Sequence, residues 1–204
     1  MDNILTFSLT VFMGFFAIMN PIANTPIFLG LVEGKDKEQK KKIAKTGTIT
    51  AFIIVVSFIL AGKYIFELFG ITIPAFKITG GILIFYVGFE MLMSKKSKIH
   101  SSEDKEDDNS VGISPLAIPI LAGPGTIVTG MNFVTDASYT HIGVVIGIFG
   151  LMIFLTYVAF VLSDVIVKKV GQNLISVIGK LMGLILAIIG TGMIVEGIKL
   201  SFNL

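Results

Sequence analysis

Six apolar runs, each long enough to cross a lipid bilayer, leave this chain little else to fold into. They lie at about 4–32, 43–66, 71–94, 111–135, 141–167 and 174–200 of 204 residues. A spanning helix needs about 20 apolar residues, because the hydrocarbon core is about 30 Å thick and offers no water to unpaired backbone groups. Strands of a membrane barrel would be shorter and would alternate with period two, which these runs do not. The expected fold is therefore an all-α membrane protein with six transmembrane helices. The chain opens Met1-Asp2-Asn3 and runs apolar past position 18, unlike a cleaved signal with its basic start and short core, so the first run is expected to be retained.

Charge is concentrated in two of the joints between the runs. Of 30 formal charges, nine fall in Glu33 to Lys45 and nine in Lys95 to Asp108. All 16 cations are lysines, with no arginine to supply a basic stripe for nucleic acid or a bidentate fork for a phosphate. The absence of cysteine excludes a disulfide framework, an Fe–S cluster and a thiol nucleophile. Two histidines, His100 and His141, lie in loops or at a helix end, which gives no basis for a metal site. Lysines also set orientation. Thirteen fall on one side, in the first and third loops and at Lys168, Lys169 and Lys180, against Lys63, Lys77 and Lys199 on the other. The positive-inside rule then puts both termini outside the cytoplasmic membrane.

The polar, mixed-charge stretch 97–110 reads as a flexible cytoplasmic linker between a three-helix unit at 1–96 and another at 111–204. Three crossings per half make any internal likeness an inverted repeat. One is visible: Pro21-Ile-Ala-Asn-Thr-Pro26 and Pro119-Ile-Leu-Ala-Gly-Pro124 both read Pro-Ile-x3-Pro, 98 positions apart. An offset of 102 lays Gly81 and Gly88 on Gly183 and Gly190, while Glu67 maps near Asp164 and Lys77 near Lys180.

Each proline removes a backbone donor and clashes with the preceding turn, so two of them five apart interrupt a helix. A 29-residue first run would extend about 44 Å as one helix, well beyond a ~30 Å core. The first and fourth helices are therefore expected to be broken mid-membrane. Each second proline opens a half-helix, capped by Asn24 or Thr25 in one half and by Gly123 in the other. Converging half-helix N-termini would seat a carboxylate, and unwound carbonyls an ammonium group. Asn20, Asn24, Thr25, Thr126 and Thr129 add side-chain donors and acceptors, and Gly123 and Gly125 admit a ligand to the backbone. The site is polar without formal charge, which suits a small zwitterionic solute. The alternative is a pair of kinks that serve packing alone.

The segment FFAIMNPIANTPIFLGL at Phe15 to Leu31 resembles the NPI-x-N-x-P-x-F signature of the MarC family of six-helix membrane proteins, and LAIPILAGPGTIVT at Leu116 to Thr129 resembles its second AGPG-x-I block. That family includes the SnatA-type transporters of small neutral amino acids. The resemblance implies an inverted repeat, a solute held at the broken helices, and uptake of glycine- or alanine-like solutes driven by a proton or sodium gradient. The binding positions it implies are Asn20, Asn24, Thr25, Gly123, Gly125 and Thr126. Ala23 stands where the family commonly has glycine, a change that could narrow the pocket.

Other polar residues support two readings each. Glu90 and Glu196 lie near the ends of the third and sixth helices, where snorkelling, or pairing of Glu196 with Lys199, explains them. The second reading for Glu90 is proton coupling. Glu67 with Lys77, and Asp164 with Lys180, are either headgroup contacts or alternate gates at opposite faces. Gly143, Gly147 and Gly150, with Gly179 and Gly183, form small-residue stripes expected to serve close helix packing. A secondary transporter whose repeats rock about a central site is the expected function. An efflux carrier or a channel for other small polar solutes is the alternative. An enzyme is not expected, because no activated nucleophile, acid pair or metal cluster is evident, and no GxxxxGK[ST] motif occurs.

Overall fold

The computed structural model describes residues 4–93, 112–135 and 137–202, so the expected linker at 97–110 lies outside the described residues. Among the described residues all regular structure is helical: α1 (Ile4–Met19), α2 (Thr25–Leu31), α3 (Lys37–Phe69), α4 (Ile73–Leu92), α5 (Gly112–Leu121), α6 (Pro124–Val134), α7 (Tyr139–Val161), α8 (Ser163–Val170) and α9 (Gln172–Phe202). Four of these are long and apolar enough to cross a membrane: α3 over Lys37–Gly62, α4, α7 and α9. The first and fourth apolar runs are divided, into α1 with α2 and α5 with α6. At 16 residues α1 is about 24 Å long at ~1.5 Å per residue, short of the ~30 Å core.

Local chemistry explains most boundaries. Asp36 and Gln39 form a reciprocal capping box at the start of α3: Asp36 Oδ1 accepts from Gln39 N at 2.9 Å, and Gln39 Oε1 accepts from Asp36 N at 3.1 Å. The same helix stops at Gly70, whose φ of 62° is left-handed. Thr72 caps α4 by accepting from Ala75 N, with Pro74 in the first turn. The fifth run ends sooner than its hydropathy suggests. Leu162 leaves helical geometry, and Ser163–Val170 forms the short α8, with Asp164 in its first turn and Lys168 and Lys169 in its last. Those charges sit favourably on the helix dipole and draw the segment out of the apolar run.

Two cores result. The larger gathers Val11, Phe15 and Met19 of α1 with apolar faces of α3, α5 and α7. There Phe15 meets the Phe149 ring at 4.9 Å, and Phe28 of α2 stacks on Phe160 at 4.5 Å. The smaller core joins α4 and α9 to α1 and α6 through Ala17, Ile84, Val128, Leu186 and Met193. Here the packing is backbone on backbone: a Cβ on Gly81 would lie 2.6 Å from the Gly190 carbonyl, and one on Gly183 2.7 Å from the Gly88 carbonyl. Nothing larger than glycine fits, and dispersion over this close antiparallel contact replaces the hydrophobic force that lipid cannot supply. Of the expected small-residue stripes, Gly183 packs in this way. Gly143 and Gly147 face open space, and Gly150 and Gly179 make only ordinary contacts.

Candidate functional site

The first break is a compact turn rather than an open gap. Asn20 adopts a left-handed φ of 35°, a conformation costing roughly 1–3 kcal/mol in a non-glycine residue and best tolerated by asparagine. Its backbone still closes both sides: Asn20 N donates to Phe16 O at 2.9 Å, and Asn20 O accepts from Asn24 N at 3.1 Å. Side chains complete the turn. Asn20 Oδ1 accepts from Ala23 N at 3.2 Å, Asn24 Nδ2 donates to Met19 O at 2.7 Å, and Thr25 Oγ1 donates to Ile22 O at 2.7 Å. Asn24 and Thr25 thus spend polar atoms on the broken chain itself. The cap expected from Asn24 or Thr25 is not made, since Asn24 is in right-handed helical geometry with no side-chain cap bond. Freed donors are therefore scarce at α2, because the turn's own carbonyls, at Asn20 and Ile22, collect them.

The second break is built differently. Its first arm, α5, is a π-helix, and Ala122 N donates to Ala117 O at 2.7 Å, five residues back. A proline within a helix disfavours regular α winding, and π winding is one of the ways a chain accommodates such an interruption. The chain then extends through Gly123 at φ −69° and ψ 165°, and α6 starts at Pro124 with no side-chain cap. Pro124 has no N–H, so Gly125 and Thr126 carry the N–H groups of this helix start that lack an intrahelical acceptor. Gly123, Gly125 and Thr126 are all buried.

Helices α1 and α6 bring the breaks together. A Cβ on Gly125 would lie 2.9 Å from Ile18 Cδ1, and one on Gly14 2.8 Å from Phe133 Cζ. The two helices therefore run antiparallel, and that register carries Gly123 to the level of Asn20. Asn20 is 1% exposed and its Nδ2 has no hydrogen-bond partner. An unsatisfied buried donor costs about 1–3 kcal/mol, so this residue carries both strain and an unmet polar atom. Ala23 lies elsewhere, half-buried, with its Cβ 3.6 Å from where a Cβ on Gly179 would stand.

The expected charge pairs are not those that form. Lys77 Nζ meets Glu196 Oε1 at 2.7 Å, joining α4 to α9, in place of pairs between Lys77 and Glu67 or between Glu196 and Lys199. Asp164 meets Lys40 Nζ at 3.4 Å, joining α8 to the start of α3, while Lys180 is exposed. Glu67, at the end of α3, is exposed too. The repeat-based mapping fails for charges because these partners come from helices that pack together across the two halves. Glu90, partly buried, accepts from Tyr86 Oη at 2.9 Å one turn earlier on α4.

Sequence reasoning missed a half-open cavity of about 550 Å³ between α1, α6 and α9, lined also by Ile84 of α4 and by the exposed Leu9 and Met13 of α1. Its wall includes Thr129 and Asn132, whose Oγ1 and Oδ1 are buried without partners. No run of three or more His, Asp or Glu side chains suited to a metal is present among the described residues.

A chain of apolar helices, two of the apolar runs interrupted at their proline pairs, defines a polytopic integral membrane protein. Residues 5–202 match the family described as MarC family integral membrane protein, and the chain belongs to that family. It is 43% identical to the "UPF0056 membrane protein YvbG" of Bacillus subtilis (strain 168), over 97% of this chain and 96% of that one. Identity is 38% to "UPF0056 membrane protein PH0760" of Pyrococcus horikoshii, over the full length of both. Against "UPF0056 membrane protein YhcE" of Escherichia coli (strain K12) it is 31%, over 92% and 90%. No solved structure matches the chain significantly.

Proposed function

We propose that this protein is a secondary-active transporter of small neutral amino acids such as glycine and alanine, of the SnatA type, working by alternating access in the cytoplasmic membrane. The observation that carries the reading is Asn20. A buried asparagine held left-handed, with an unmet amide donor, stands level with the uncapped start of α6. A zwitterion's carboxylate would satisfy Asn20 Nδ2 and the N–H groups of Gly125 and Thr126 without a formal countercharge, in a medium where dipoles act strongly.

In this reading the six apolar runs form two inverted three-helix repeats, and both termini lie outside. The reciprocal contacts of Gly81 with Gly190 and Gly88 with Gly183 support it, because an offset of 102 turns one contact into the other. No cofactor is invoked beyond a coupling proton or sodium ion, and nucleic acid has no place in the reading. The test is uptake of labelled glycine and L-alanine into proteoliposomes under imposed proton or sodium gradients. Gradient-dependent accumulation is expected; equal uptake with and without a gradient would point to a channel, and no uptake would remove the reading.

A further inference from the structure

We propose that the cavity between α1, α6 and α9 is a binding site for the ammonium group of a small amphipathic solute, with Thr129 Oγ1 and Asn132 Oδ1 as its acceptors. The proposal rests on the transport reading for the identity of the solute and adds a seat that the broken helices do not provide. Thr129 and Asn132 are three residues apart on α6, so they share one face. Thr129 is 5% exposed, yet its hydroxyl is unpartnered.

That hydroxyl breaks a habit of this protein. Thr48, Thr135, Thr156 and Thr191 each donate to the carbonyl four residues earlier, at 2.8–2.9 Å. In the low dielectric of a membrane interior that bond is the cheapest way to satisfy a hydroxyl, and Thr129 forgoes it. Asn132 Oδ1 can only accept, so the partner it lacks is a donor. Glu196 is the one charged residue of the lining, and its carboxylate is already paired with Lys77 Nζ at 2.7 Å, so the two unpartnered oxygens of Thr129 and Asn132 are what call for a donor. A lone cation needs far less room than about 550 Å³, whereas a ligand of several heavy atoms fits. Most of the remaining wall is apolar, with Ile185, Leu186 and Ile189 of α9 among its residues, and suits a short apolar side chain. Thr129 lies about one turn, and Asn132 about two turns, from the free donors of Gly125 and Thr126 at the start of α6, so one helix offers donors and acceptors to the two ends of a zwitterion.

The experiment is equilibrium binding of labelled L-alanine to the full chain in nanodiscs, with ethylamine and propionate as competitors, each keeping one end of alanine. Ethylamine is expected to displace L-alanine and propionate is not. Thr129→Val and Asn132→Leu should each weaken L-alanine binding about tenfold, or ~1.4 kcal/mol, with a thermal midpoint unchanged or raised, since each removes an unsatisfied polar atom. Wild-type affinity in both variants would overturn the proposal. So would displacement by propionate alone, or a lipid chain found retained in the cavity. An Asn20→Gly variant separates the two readings. If it loses uptake while Thr129→Val and Asn132→Leu keep binding and uptake, the cavity proposal falls and the transport reading stands. If binding requires Asn132 but the wild type shows no flux, transport falls and the cavity assignment stands.

Discussion

The two breaks begin from the same Pro-Ile-x3-Pro spacing and end as opposite structures. At Asn20–Asn24 the chain folds back on itself, and almost every freed donor finds a carbonyl or side chain within the turn. At Ala122–Gly123 a π-helix simply stops, the chain extends, and α6 starts uncapped. The difference lies in what fills the three positions between the shared isoleucine and the second proline. Ala23-Asn24-Thr25 contains two side chains that hydrogen-bond to backbone, whereas Leu121-Ala122-Gly123 contains none. The first break therefore orders itself and keeps one unmet amide donor; the second leaves backbone groups to be met from outside.

Substitutions at these positions test that contrast. The largest effect is expected from Asn20→Val. A β-branched residue resists φ 35° and forfeits the bond from Ala23 N, so stability should fall by about 3 kcal/mol, read as a lowered thermal midpoint in detergent, with alanine uptake abolished. A wild-type midpoint would show that the left-handed turn is not held by asparagine chemistry. Next, Asn24→Ala removes the donor to Met19 O and should cost about 1–2 kcal/mol while changing L-alanine affinity little. A large loss of affinity at unchanged stability would return Asn24 to the ligand and make the breaks alike.

At the second break the effects should be smaller. Gly125→Ala places a methyl 2.9 Å from Ile18 Cδ1, the far end of a flexible side chain, for about 1 kcal/mol. Its main result should be a several-fold weaker solute affinity, seen in the same binding assay, because the methyl narrows the approach to the α6 donors. Pro124→Ala should be nearly silent, within about 0.5 kcal/mol, since the first helical position has no intrahelical acceptor for an added N–H. A marked change there would mean that this N–H position faces something other than solute or solvent.

Much of the fold is legible in the sequence because apolar length and proline chemistry act locally. The apolar runs, the interruptions at Pro21–Pro26 and Pro119–Pro124, and the capped start of α3 at Asp36 follow from residues within a few positions of each feature. The candidate site is legible only in part. Asn20 stands out by its neighbours Pro21 and Pro26, but its left-handed φ and its unmet donor do not. Thr129 is marked in sequence by its place beside the second break, but its unpartnered hydroxyl is not, and Asn132 gives no signal at all. Likewise Lys77 has Glu67 ten residues away and Glu196 more than a hundred, and it pairs with the distant one.

From the order of residues alone came the helical character, the membrane setting and the places where two helices must fail, since each depends on short-range sterics and on transfer out of water. Tertiary packing alone decided which charges pair, which glycines touch, and which polar atoms are left without partners. Those outcomes depend on which helix faces meet, and in this chain the decisive neighbours arrive from the opposite half.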